Sequence, residues 1–246
     1  MNARTHSHKR LLLIGTLFTL CALAWDASGL DMPVMHQWGN AQGFALKHDA
    51  LLETWLHDRI RGVLWLAYLL LAWMAWRPLG PWKALPPRQR WAVWVGITVA
   101  LVATTLLKRQ SLTSCPWDLS DFGGSATYIS HWQFGISDGG PGRCFPGGHA
   151  SGALAFLAVV FPWLGVHNER PRKRAWGALI AVLAFGSVLG AVQTLRGAHF
   201  PSHTLWTAVA CWFSAWAVWY WMAVRPIQLP ATNPNPHAGA GTPPYP

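Results

Sequence analysis

Six apolar runs, at residues 11–25, 63–76, 91–107, 150–166, 175–192 and 205–224, constrain this chain more than any other feature. A helix needs about 20 apolar residues to cross a hydrocarbon core ~30 Å thick, and shorter runs suffice when their flanking side chains reach the interface. Composition agrees: only 11% of the residues are charged, against about a quarter in a soluble domain. The chain also has 18 Trp, a residue that collects at membrane–water interfaces. The expected fold is all-α, a polytopic membrane helix bundle of about six transmembrane helices.

The net charge of +10 would suit a nucleic-acid partner, but Lys and Arg lie between the apolar runs rather than on one basic face, which excludes that class. Residues 11–25 read either as a signal peptide or as a retained first helix. No clear small-x-small cleavage site follows, so the retained helix is adopted. In a six-span arrangement the amino terminus, the Arg- and Lys-bearing turn at 77–90 and the turn at 170–174 all fall on one side. The excess of Lys and Arg makes that side cytoplasmic. Between the first two runs, Leu46, Leu51, Leu52, Trp55 and Leu56 recur at helical spacing, which predicts a surface amphipathic helix. Residues 1–225 read as a single transmembrane domain, and 226–246, rich in Pro, Ala and Asn, as a disordered tail.

Three junctions then face the opposite side. Lys108 to Pro116 ends the third run, Arg143-Cys-Phe-Pro-Gly-Gly-His149 begins the fourth, and Gln193-Thr-Leu-Arg-Gly-Ala-His-Phe-Pro-Ser-His203 joins the fifth and sixth. Singly, each has a plain reading: Lys108 and Arg109 as snorkelling cations, Pro146-Gly147-Gly148 as a turn beside an interfacial His149, Arg196 and His199 as interface anchors. Jointly they put a cation or His next to Gly or Pro three times at one membrane face. His199 and His203, four apart, share a helix face.

These junctions resemble the type 2 phosphatidic acid phosphatase superfamily of membrane lipid phosphatases. That pattern is Lys, six residues, Arg-Pro; then Pro-Ser-Gly-His; then Ser-Arg, five residues, His, three residues, Asp. Here Lys108 precedes Cys115-Pro116 by six residues, with Cys in place of Arg. Pro146-Gly147-Gly148-His149 has Gly in place of Ser. In the third part His199 takes the His position, Gln193 that of Arg and His203 that of Asp. The resemblance covers a motif core of 108–203.

It implies a phosphatase that needs no metal and no cofactor. His199 would be the nucleophile, forming a phosphohistidine, and His149 the general acid for the leaving oxygen. Lys108 supplies a cation, and Gly147 and Gly148 let backbone N–H groups approach the phosphate at a helix start. For the missing Arg, Arg196 lies one helical turn beyond Gln193 and its guanidinium suits phosphate oxygens. For the missing Asp, His203 would accept the ring N–H of His199, or Asp118, less readily Asp121, would serve from the long loop. Four Cys show no zinc spacing. Cys21 and Cys211 lie in apolar runs as small core residues. On an outward, oxidising face a Cys115–Cys144 bond would bring Arg143 towards the missing Arg.

The function expected is hydrolysis of a lipid phosphate or diphosphate at the periplasmic face of a bacterial inner membrane. Lipid A, polyprenyl diphosphate and glycerophospholipid phosphates are the substrates that the resemblance implies. Lipid-to-lipid phosphotransfer and an inactive anionic-lipid-binding protein are the alternatives. The partners implied are the bilayer and its lipid phosphates, not nucleic acid.

Overall fold

A computed structural model describes residues 3–164 and 168–225, without the side chains of 3–7 and 57. The expected tail at 226–246 lies outside the described residues. Helix α1 (Ala3–Ser28) leads through the short α2 (Asp31–His36) into a two-residue-per-strand antiparallel hairpin, Gly39–Asn40 with Gly43–Phe44. A π-helical segment, Leu51–Arg59, runs directly into α3 (Ile60–Trp76). Helix α4 (Pro87–Gln110) follows a 3₁₀ turn. A long loop with two more 3₁₀ turns then reaches α5 (Gly148–Leu154), which continues through a 3₁₀ stretch, Ala155–Val160, into α6 (Phe161–Leu164). Helices α7 (Glu169–Leu195) and α8 (Pro201–Trp219) complete the bundle.

Among the described residues, five helices are long and apolar enough to cross a membrane: His8–Ser28, Leu51–Ala84, Pro87–Gln110, Glu169–Leu195 and Pro201–Val224. The fourth apolar run forms a shorter apolar helix, Gly148–Leu164, interrupted by its 3₁₀ stretch. The chain is an all-α polytopic bundle. Residues 44–49 are not helical, and the amphipathic helix expected there is instead the extension Leu51–Arg59 of α3.

Helix α8 is the axis of the packing. Trp212 is fully buried, donates from Nε1 to the Leu11 carbonyl of α1 at 2.9 Å, and meets Phe161 edge-on with ring centroids 4.8 Å apart. Val93, Ile97 and Ala100 of α4 and Leu154 and Leu157 of the broken helix close the same core. Gly190 permits the close approach of α7 to α8, since a Cβ there would collide with the Thr204 side chain. Cys211 is buried in this core, as expected. Cys21, however, is exposed, because it lies on the outer rather than the inner side of α1.

Two carboxylates anchor the end of α8 that carries His203. Pro201 occupies the first turn, and Phe200 before it offers no side-chain cap. Asp31, 171 residues away, caps the helix instead. It is buried, accepts the Ser202 amide at 3.1 Å and the Ser202 hydroxyl, and also binds Trp25 Nε1 at 2.8 Å. A carboxylate at a helix start satisfies free N–H groups and opposes the helix dipole. Asp26 accepts the Trp132 and Trp206 indole N–H groups at 2.9 and 2.8 Å. Replacing Asp31 by Ala leaves three donors without their acceptor and should lower stability by about 2–3 kcal/mol. Thermal unfolding in detergent checks this; an unchanged midpoint would mean that Asp31 does not anchor α8.

Candidate active site

The turn between α7 and α8 is set by how α7 stops. Gly197 has φ +77° and closes a Schellman motif: its N–H donates to the Thr194 carbonyl at 3.0 Å, and that of Ala198 to the Gln193 carbonyl at 2.8 Å. A side chain at 197 would strain that backbone and strike the Phe44 ring. The reversed chain carries His199 back over the end of α7, and α8 then begins at Pro201.

Backbone hydrogen bonds stitch the other two junctions to this turn. The Trp117 amide donates to the Gly197 carbonyl at 2.9 Å, and the Gly147 amide to the His203 carbonyl at 3.3 Å. Arg143 and Cys144 donate to Ser111 and Thr113 at 2.8 and 3.1 Å, which joins the first junction to the second. Cys115 and Cys144 are disulfide-bonded with Cα atoms 5.1 Å apart. Cys144 Sγ lies 3.4 Å from His199 Nδ1 and 3.2 Å from the Ala198 carbonyl; a bonded sulfur carries no proton, so these are packing contacts. Cys115, Cys144 and His199 place three donor atoms within 4.8 Å of one another. With the two sulfurs bonded to each other they offer no thiolate to a metal.

A cavity of about 670 Å³ opens where the three junctions meet. Its walls include Lys108, Gly148, His149, Gln193 and His199, together with Arg61, Arg109 and Trp117. Lys108 is drawn in from the end of α4, and a Cβ at Gly148 would lie 3.3 Å from its Nζ. Gln193 is 4% exposed and its Nε2 has no hydrogen-bond partner among the described residues. A buried donor left unpaired costs free energy that a ligand can return. His149 Nε2 is 3.3 Å from the Leu56 carbonyl.

His199 is buried, and its Nδ1 lies 3.2 Å from Nδ1 of the buried His203, so one N–H is shared between the rings. Burial first, then the charges of Lys108 and His149, lower the His199 pKa to about 3. The ring is therefore neutral at physiological pH. Behind His203, the edge of Phe145 approaches at 5.2 Å between centroids, and His131 stacks on Phe145 at 4.2 Å. His131 Nε2 is 3.3 Å from Asp26 Oδ2. Burial lowers the His131 pKa, and the charges of Asp26 and Asp31 act in the opposite sense.

Four other residues named from the sequence lie away from the cavity wall. The Arg196 guanidinium is committed elsewhere: Nε donates to the Lys47 carbonyl at 3.0 Å and Nη2 to Glu53 Oε1 at 2.8 Å. It thus fastens the segment before α3 to the end of α7. Arg143 is exposed at φ +57° and does not line the cavity. Asp118 is half-buried outside the wall, and burial raises its carboxyl pKa against the hydrogen bonds of Cys115 and Trp117 and the charge of Lys47. Gly147 gives its amide to His203 rather than to the cavity. Conversely, Arg61 and the unpaired Gln193 amide line the cavity without having been singled out as ligands. Arg61 had a readable signal: it begins an apolar run on the same face as the three junctions.

A family model described as the PAP2 superfamily matches residues 89–227, more than half of the chain. Comparisons with curated proteins and with solved structures find no match.

The buried neutral His199 makes stability depend on pH. An unfolded imidazole takes up a proton near pH 6.5, whereas this one resists protonation to about pH 3. Its contribution is complete above about pH 6.5 and is lost progressively as the pH falls towards 3. The unfolding temperature should drop over that window, and drop less in His199→Gln. An equal drop in both proteins would show that His199 is already charged in the folded state.

Proposed function

The chain belongs to the PAP2 superfamily, whose members are generally phosphatases, and from that we propose that it hydrolyses a lipid phosphate or diphosphate through a phosphohistidine on His199. The observation that carries this reading is one cavity wall holding a neutral His199, a half-buried Lys108 and an unpartnered Gln193 amide. Phosphoryl transfer depends mainly on positioning and charge stabilisation. Those three groups provide a nucleophile, a cation and a neutral donor for one tetrahedral anion.

In the proposed reaction His199 Nδ1 is held by His203, so Nε2 attacks phosphorus. The bond from phosphorus to the lipid oxygen breaks, and His149 gives that oxygen a proton. Water then attacks the phosphohistidine, His149 takes its proton, and inorganic phosphate leaves. Lys108 and Gln193 bind the phosphoryl oxygens, with the free N–H groups at the start of α5. Gln193 stands where the family has Arg, so it donates without adding charge. Arg196 serves the same site indirectly, by holding residues 47–53 against the end of α7. The Cys115–Cys144 bond fixes the loop behind His199 and belongs with an oxidising compartment. An outward site in a bacterial inner membrane fits both that bond and the basic turns on the other side.

The apolar part of the cavity favours a lipid over a soluble ester. Leu64, Trp65 and Tyr68 of α3 and Leu101, Val102 and Leu106 of α4 line it. Counted along the helices, these positions lie about half a turn to two turns deeper in the bundle than Arg61 and Lys108, or up to about 10 Å at ~1.5 Å per residue. A headgroup at the cationic level would leave its chains between α3 and α4.

The test is phosphate release by detergent-purified protein from a panel of lipid phosphates, with chelator present. Wild type should release phosphate; His199→Ala should fall to background, and His149→Ala should lose about 10²–10⁴-fold. Radiolabel trapped on His199 without phosphate release would convert the reading to phosphotransfer. Activity persisting in both variants would overturn the assignment of the site.

A further inference from the structure

We infer that Arg61 and Arg109 form a second anion subsite at the rim of the cavity, one that selects a diphosphate headgroup over a monophosphate. The inference rests on the phosphatase reading for what happens to the bound headgroup, and on the charge of the cavity wall for the selection itself.

The wall contains three cationic side chains, Lys108, Arg109 and Arg61, and no Asp or Glu. The inner position is already matched to one phosphate. A phosphomonoester carries close to two negative charges, and Lys108 with a protonated His149 balances them. Arg61 and Arg109 are then surplus to a monoester. Both are exposed, whereas Lys108 is half-buried. Arg61 sits in the first turn of α3 and Arg109 in the last turn of α4, so the two helices bring them to one level at the mouth. Neither forms an ion pair among the described residues. The buried guanidinium nearby, Arg196, differs in this respect because Glu53 neutralises it. Two unopposed guanidiniums on facing helices suit the oxygens of an added phosphate, which brings about one further negative charge.

The chemistry follows from which bond breaks. His199 Nε2 bonds the terminal phosphorus, the bridging P–O bond breaks, and the leaving group is the lipid monophosphate rather than an alkoxide. That leaving oxygen lies beside Arg61 and Arg109, which stabilise its developing charge. Water then releases inorganic phosphate from His199. The balance is one diphosphate and one water to one monophosphate and one inorganic phosphate. A phosphate leaving group needs less protonation than an alkoxide, so His149→Ala should cost less on the diphosphate.

The test compares an alkyl diphosphate with the alkyl monophosphate of the same tail, in wild type and in Arg61→Gln/Arg109→Gln. Each charge-assisted contact is worth about a factor of ten or more. The double variant should therefore lose about 100-fold more kcat/KM on the diphosphate than on the monophosphate, and Arg→Lys at both positions should recover part of it. Competition by an alkyl methylenebisphosphonate against the matching alkyl phosphonate reads the same selection without turnover. Equal losses on both substrates, or no loss, would overturn the rim subsite while leaving the phosphatase standing. Bisphosphonate preference without turnover of either substrate would leave the subsite standing and remove the phosphatase.

Discussion

His203 holds the site together through both its backbone and its ring. Its carbonyl accepts the Gly147 amide at 3.3 Å and the Thr207 hydroxyl at 2.6 Å, and its ring shares a proton with His199 at 3.2 Å. The Thr207 hydroxyl also lies 3.1 Å from the Gly147 carbonyl, so the second junction is bound to α8 at two points. All of this depends on where α8 begins, and Asp31 fixes that. Inside a bilayer an unsatisfied buried group is costly, so the register of one helix turn propagates to loops on the other side of the cavity.

Much of this was legible in the sequence, and the boundary of legibility is physical. The apolar runs marked the helices because hydrocarbon thickness sets their length. The three junctions marked one cavity wall, because a cation or His at a span end has a cost that calls for a reason. What could not be read were partners far apart in the chain. Glu53 claims Arg196 across 143 residues, and Asp31 caps α8 across 171; neither leaves a local pattern. The expected surface helix starts later than its leucines suggest for a related reason: Leu51, Leu52, Trp55 and Leu56 lie in the helical segment Leu51–Arg59, but the residues before it are taken up by the hairpin and by the contact of Lys47 with Arg196. Gly147 and Gly148 looked equivalent in sequence, yet one amide turns to His203 and the other residue lines the cavity.

The fastening of residues 47–59 also changes how the site is roofed. Arg196 holds this segment at Lys47 and Glu53, and His149 Nε2 meets the Leu56 carbonyl. A carbonyl facing that nitrogen favours an N–H there. In the proposed reaction that N–H is the one His149 would offer to the leaving oxygen. The segment then does two things at once: it meets the His149 ring, and it carries α3, with Arg61 in its first turn, into the cavity wall.

Replacing the family's carboxylate by His203 alters the electrostatics in a definite direction. A carboxylate beside His199 would stabilise a cationic ring and would also repel an incoming phosphate. An imidazole orients the ring but gives less to that cationic state, so in the proposed reaction His199 would have less assistance at the moment of attack. In return no acidic side chain lines the cavity, and Lys108, Arg109 and Arg61 act on the ligand without an opposing charge. Substituting Gln193 for Arg removes one cation from the inner position and leaves the arginines at the rim. Positive charge is thus shifted outward from the inner position to the rim, and in the proposed reaction that arrangement favours a substrate whose leaving group is itself an anion.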